Sequence, residues 1–243
     1  MVGAGGGPRG PASPLTRRYT AGGMTLALFD EAESAATEPG AIEAIEPGAA
    51  VLRGFAHARA DALLDAIDAV VAAAPLRHMI TPGGHRMSVA MTNCGAVGWT
   101  SEPTGYRYSP TCPLSGAPWP AMPAVFAALA REAAAAVGFA AYAPDACLVN
   151  RYEPGTKLTA HRDFDERDTV APIVSVSLGL PATFLFGGPR RGDPSRALRL
   201  VHGDVAVWGG PARHHYHAVK PLQDGWHARC GRVRWNLTFR VAR

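Results

Sequence analysis

The stretch 232–241, RVRWNLTFRV, alternates without a break. Arg234, Asn236, Thr238 and Arg240 fall on one face, and Val233, Trp235, Leu237, Phe239 and Val241 on the other. Period two dictates a β-strand whose apolar face packs on a core. The opposite face is the stronger constraint. Two guanidiniums and an amide are out of place in a sheet interior unless they meet an anion. The chain must therefore fold into a sheet structure whose interior can hold a charged group.

The residues before this strand supply such a structure. From 146 onward short strand-like runs follow one another at Gly turns: 146–153, 158–163, 172–180, 182–188, 197–210, 215–219 and 232–241. That spacing indicates a sandwich or barrel. Upstream, 49–55 and 87–95 read as strands. Leu63, Leu64, Ile67, Val70 and Val71 give 58–73 a helical period, stopped by Pro75, and a second helix over 122–137 ends at Gly138. The segment 96–120 is turn-rich and carries Trp99, Tyr106, Tyr108 and Trp119. The fold expected is α+β, mainly β: a double-stranded β-helix (jelly roll) over about 146–241 with two helices packed on one sheet. No internal repeat is present.

Candidate chemistry centres on His161-x-Asp163, with His217 far downstream and Arg240 beyond it. Residues i and i+2 of a strand share a face. One imidazole and one carboxylate from that pair, with a second imidazole, make the two-His-one-carboxylate set that holds iron(II) and leaves positions open for a co-substrate and oxygen. An HxD pair alone is as readily a solvated turn. His215 and His217 share a strand face, so spacing does not choose between them. Trp208, in HGDVAVWGG, reads as core. The N-terminal GGG is no phosphate loop, because no strand precedes it and no GK[ST] follows.

Charge narrows the functional classes. The formal charge is +4, of which Arg9, Arg17 and Arg18 supply three in an acid-free 1–23. The remaining body is near neutral, so nucleic-acid contact must use local clusters such as Arg190, Arg191, Arg196 and Arg199, or Arg229, Arg232 and Arg234. Cys94, Cys112, Cys147 and Cys230 have no CxxC spacing and read as reduced thiols of a cytoplasmic protein. No apolar run approaches the roughly 20 residues of a membrane span. Residues 1–23, rich in Gly, Pro and Ser, read as a disordered tail without a secretory signal core. Met24 opens the first apolar pattern, with Leu26, Leu28 and Phe29 as docking points, and is the expected true start.

Six segments carry a resemblance: TPGGHRMSVAMTNCGAVGWT (81–100), PDACLVNRYEPGTKL (144–158), HRDFDE (161–166), APIVSVSLGLPATFLFGG (171–188), HGDVAVWGG (202–210) and RWNLTFR (234–240). Together they resemble the bacterial AlkB family of iron(II)- and 2-oxoglutarate-dependent dioxygenases that repair alkylated DNA. The similarity spans 24–243, which is taken as one dioxygenase domain. The family pattern HxD…H…RxxxxxR is met by His161, Asp163, His217, Arg234 and Arg240. The resemblance selects His217 over His215.

The resemblance further implies that Fe(II), 2-oxoglutarate and O2 are used. Arg240 would pair with the distal carboxylate of 2-oxoglutarate and Arg234 would neutralise its metal-bound end, with Asn150, Tyr152 and Asn236 hydrogen-bonding it. The region 81–120 would be a nucleotide-recognition lid. Trp99 would stack on a flipped base opposite His217. Tyr106, Arg107 and Tyr108 would hold the DNA backbone or line the entrance, and Thr81 and Met91 would touch substrate. Asp165 would contact the exocyclic amine, and Arg191 would reach in from the opposite rim. The expected substrates are 1-methyladenine and 3-methylcytosine in alkylated DNA, single strands preferred, handled by a monomer. The alternatives are the same chemistry on RNA, protein or a small metabolite, a non-catalytic nucleic-acid-binding jelly roll, and a zinc hydrolase on the same three ligands.

Overall fold

The computed structural model describes Gly3 and residues 40–243. The expectations for 1–23, for the domain start at 24 and for Leu26, Leu28 and Phe29 lie outside the described residues. In chain order the strands are β1 (Ile42–Glu46), β2 (Ala49–Leu52), β3 (Ala90–Gly95), β4 (Gly98–Glu102), β5 (Gly105–Ser109), β6 (Ala146–Tyr152), β7 (Leu158–His161), β8 (Ile173–Gly179), β9 (Ala182–Phe186), β10 (Arg196–Leu200), β11 (Val205–Trp208), β12 (His217–Val219) and β13 (Arg234–Arg240). Helix α1 (Ala60–Ala73) follows β2, and α2 (Ala124–Ala136) follows β5.

Seven strands form the major sheet in the order β1-β2-β11-β8-β13-β6-β3, and four form the minor sheet, β10-β9-β12-β7. All their pairings are antiparallel. This is the expected jelly roll. The major sheet is buried on both faces. On one side Leu237, Phe239, Val174, Val176 and Val149 pack against Leu63, Ile67, Phe126 and Leu129 of the helices. On the other, Met91, Tyr152, Ile173 and Trp208 meet Phe184, Phe186 and Leu198 of the minor sheet.

That layering explains the alternation of β13. Its apolar residues feed the helix side, while Arg234, Asn236, Thr238 and Arg240 are buried between the sheets. Strand β13 lies between β6 and β8, with Arg234 opposite Tyr152 and Gly179, and Asn236 opposite Asn150 and Ser177. The strand β8 repeats the pattern with Ser175 and Ser177 facing inward. Gly179 is required where it stands: its φ is +89°, and a Cβ there would lie 2.3 Å from the Val233 carbonyl.

Four expectations change. The segment 197–210 is two strands in different sheets. The chain turns a corner at Gly203 (φ +90°), where buried Asp204 accepts from the Val201 and Gly54 amides and from Arg53. Strand β7 stops at His161, so Asp163 lies beyond it in coil. A strand that the sequence reading does not offer, β1, precedes residue 50, and the turn-rich 96–120 contains the β4–β5 hairpin. Among the described residues no helix is long and apolar enough to cross a membrane.

Away from the sheet interior, three histidines brace the Gly203 corner. His202 stacks on His227 at 4.3 Å and meets the edge of His57 at 5.5 Å. Its Nδ1 accepts the Gly179 amide at 3.0 Å. Burial, then His227 and His57, push His202 below the usual imidazole value against the pull of Asp61. The unfolded chain therefore binds a proton that the folded chain resists. The resulting stability is complete above about pH 6.5 and is lost as pH falls below it. The urea midpoint should drop between about pH 7.5 and about pH 5.5, and His202→Asn, which keeps an acceptor for Gly179, should flatten that drop. A wild-type midpoint that does not move across this range excludes the effect.

Candidate metal centre and cavity

A cavity of about 800 Å³ opens between the two sheets. Its floor comes from the major sheet (Met91, Asn150, Tyr152, Ser175, Arg234, Asn236, Thr238, Arg240), and its roof from the minor sheet (His161, Phe184, His217). Trp208, expected in the core, is buried but also walls the cavity, 4.9 Å from His217.

His161 and His217 are direct cross-strand partners on β7 and β12, with ring centroids 4.3 Å apart. The Nε2 atoms of His161 and His217 lie 4.0 and 3.8 Å from the Asp163 carboxylate oxygens. One ligand atom from each of the three lies within 4.8 Å of the other two. Each Nδ1 faces a backbone carbonyl, Thr159 at 2.9 Å and His215 at 3.0 Å. A carbonyl only accepts, so both Nδ1 atoms carry the proton and both Nε2 lone pairs face the carboxylate. Burial, then the neighbouring His161, push His217 down to about 3 against the pull of Asp163, so it stays neutral, as a ligand must be. The donor set and tautomers fit a divalent metal such as Fe(II). His215 lies before β12 begins and pairs with Glu46 instead, which separates it from His217 structurally.

Because Asp163 sits beyond its strand, other residues aim it. Arg240 Nη2 donates to Asp163 Oδ2 at 3.0 Å, and Arg213 Nη1 donates to the Asp163 carbonyl at 3.1 Å. Burial opposes the Asp163 charge, yet Arg240, with Arg213 behind it, holds it well below the usual carboxylate range. Glu166 gathers the supports. It receives Arg213 Nη2 at 3.1 Å and the Tyr108 hydroxyl at 2.7 Å, and Arg240 Nε lies 3.1 Å away. Sequence reasoning missed Glu166 and Arg213. Their only signal was position, at the end of HRDFDE and just before the His214–His217 run.

The two cavity arginines differ sharply. Arg240 is ion-paired with the chain's own acids, although its buried Nε makes no well-aligned hydrogen bond, and Asp163, Tyr108 and Glu166 raise its pKa despite burial. Arg234 is 1% exposed and has no carboxylate partner among the described residues. Its Nη2 donates to Ser177 at 3.0 Å, its guanidinium lies 4.9 Å from the Tyr152 ring, and buried Nε and Nη1 have no partner. Burial lowers its pKa, with Tyr152 opposing. A buried guanidinium in this state fits the carboxylate of a co-substrate. Arg240 is bound to the candidate metal-ligating carboxylate, while Arg234 stands farther along the strand with no anion beside it. Asn150 and Asn236 lie between them, joined at 3.1 Å, and Asn150 Oδ1 is buried without a partner. Ser175 and Thr238 complete this polar floor around Asn236.

At the rim, the cavity is lined by Thr81, Trp99, Tyr106, Asp165 and Arg191, with Met91 deeper. Trp99 stacks on Tyr106 at 5.3 Å and donates its indole N–H to Asp165 at 2.8 Å. Two of the expected rim residues stand elsewhere. Arg107 pairs across the hairpin with Thr100, on the face opposite Trp99, and binds Glu102. Tyr108 shares the Trp99 face but reaches inward to Glu166 and is absent from the cavity lining.

Comparisons with known proteins agree with this geometry. The model of the 2OG-Fe(II) oxygenase superfamily matches residues 48–240. The chain is 56% identical to the alpha-ketoglutarate-dependent dioxygenase AlkB of Salmonella typhimurium over 200 residues, 82% of this chain and 93% of that protein. It is 54% identical to AlkB of Escherichia coli over the same shares. The solved structure of OsALKBH1 superposes with a TM-score of 0.71 at 27% identity, covering 82% of this chain and 99% of that one.

The Glu166 junction can be tested without substrate. Glu166→Ala leaves buried Arg213 and Arg240 each short of an anion, and should destabilise the fold by about 3–5 kcal/mol in urea unfolding. A loss below about 1 kcal/mol would mean the junction is incidental.

Proposed function

The chain belongs to the 2OG-Fe(II) oxygenase superfamily and is an Fe(II)- and 2-oxoglutarate-dependent dioxygenase; we propose that it oxidatively demethylates alkylated bases in nucleic acid, with DNA as the main substrate. The observation that carries this reading is the pairing of a His-Asp-His set with a buried arginine that lacks an anion, inside one cavity. In this reading His161, Asp163 and His217 hold Fe(II), and Arg234, Tyr152, Asn150 and Asn236 hold 2-oxoglutarate. Bound there, the metal with 2-oxoglutarate and O2 supplies oxidation of an N-methyl group, with succinate, carbon dioxide and formaldehyde as products.

The chain's own residues set up that chemistry. Arg240 and Arg213 fix the Asp163 carboxylate, and the Thr159 and His215 carbonyls fix the imidazoles. Phe184 and Trp208 pack their rings 5.9 and 4.9 Å from that of His217 and shield the metal end. At the mouth, Trp99 offers a π face, and Asp165 keeps Oδ1 free of protein hydrogen bonds among the described residues. Both features suit a positively charged base, as 1-methyladenine and 3-methylcytosine are. Such lesions cannot pair, so taking them out of a stack costs less. The rim residues Arg86, Lys157, Arg162 and Arg191 have no carboxylate partner among the described residues and offer charge to phosphates. Four free cysteines support a reducing, cytoplasmic setting.

Formaldehyde release from a single-stranded oligonucleotide with one 3-methylcytosine should require both Fe(II) and 2-oxoglutarate, and His161→Ala should abolish it. Turnover by that variant with added iron overturns the ligand assignment, and a strong preference for the matching RNA strand would move the substrate from DNA to RNA. Arg234→Met should raise the KM for 2-oxoglutarate by about tenfold or more. An unchanged KM there would return the distal carboxylate to Arg240.

A further inference from the structure

We propose that the side-chain stack beside the cavity mouth, Phe164–Arg162–Tyr216–Arg191, is a subsite for the nucleobase next to the one being repaired. The proposal rests on the nucleic-acid reading above and adds where the neighbouring nucleotide goes. Phe164 stands between Asp163 and Asp165 and is 57% exposed, an unusual position for a phenyl ring beside two acids. The Arg162 guanidinium lies 4.8 Å from the Phe164 ring centre and 5.5 Å from that of Tyr216. Arg191 lies 5.1 Å from Tyr216 and is anchored by donating Nη1 to the Ala160 carbonyl at 2.8 Å.

Neither guanidinium meets a carboxylate among the described residues, so the positive charge is not cancelled locally. All four residues line the same cavity as His161 and Asp163. Exposed aromatic faces interleaved with free guanidiniums match an unpaired base and its phosphate: the ring takes the base by stacking, and the arginines take the phosphate. In a duplex the neighbouring base is stacked and paired, so this subsite would favour single strands. An acidic peptide would use the arginines alone and leave Phe164 idle.

The test compares single-stranded pentanucleotides with a central 3-methylcytosine and either ordinary neighbours or an abasic 5′ or 3′ neighbour. In the wild-type enzyme one abasic position should raise KM by about tenfold. In Phe164→Ala that penalty should vanish, because ordinary and abasic strands then bind alike, and Phe164→Trp should restore it. Intact wild-type turnover with one KM for all strands removes the subsite, assigns the patch to another partner and leaves the proposed function standing. No formaldehyde from any strand removes both. The wild-type comparison needs no variant to fold.

Discussion

The contact on which the site depends is the buried pair between Arg240 and Asp163. A carboxylate two residues past the end of a strand has no reason to face two imidazoles. Here a guanidinium from the middle of the neighbouring sheet pulls it in, and Arg213 holds its carbonyl from the other side. Each isolated charge would be costly between two packed sheets. They are tolerated because Glu166 closes the charge balance, and because the His217 imidazole beside them stays neutral.

The same reasoning separates two arginines that look equivalent on one strand face. One has its anions supplied by the chain, and the other has none. The protein thus holds a fixed positive charge, with no anion of its own among the described residues, at the floor of the cavity. Register makes this possible. Arg234 lies between Tyr152, which covers its face, and Gly179, which has no side chain to compete for the space. Ser177 supplies the lone hydrogen bond.

Much of this is legible in the sequence. The unbroken alternation of 233–241 set both the strand and its polar lining. The HxD spacing, the distal histidine and the two arginines marked the centre. The choice of His217 over His215 came from resemblance alone, since alternation treats them alike; it is the start of β12 that parts them. Glu166 and Arg213 were illegible because a buried ion pair is defined by partners 47 residues apart. The hairpin in 98–109 was hidden among glycines and prolines. Yet the parity of 105–109 already put Arg107 opposite Tyr106 and Tyr108, which would have removed it from the rim. The run 197–210 looked continuous because both halves are apolar, and only the corner at His202-Gly203-Asp204 divides it.

The place of β13 has a bearing on how the site assembles. Among the described strands it stands farthest along the chain, yet it fills the middle of the seven-stranded sheet, and both arginines and Asn236 ride on it. Until it docks, β6 and β8 have no neighbour between them, and Asp163 has no guanidinium from the sheet to aim it. Sheets joined by distant segments form slowly. The floor of the cavity is therefore completed by the same step that completes the sheet.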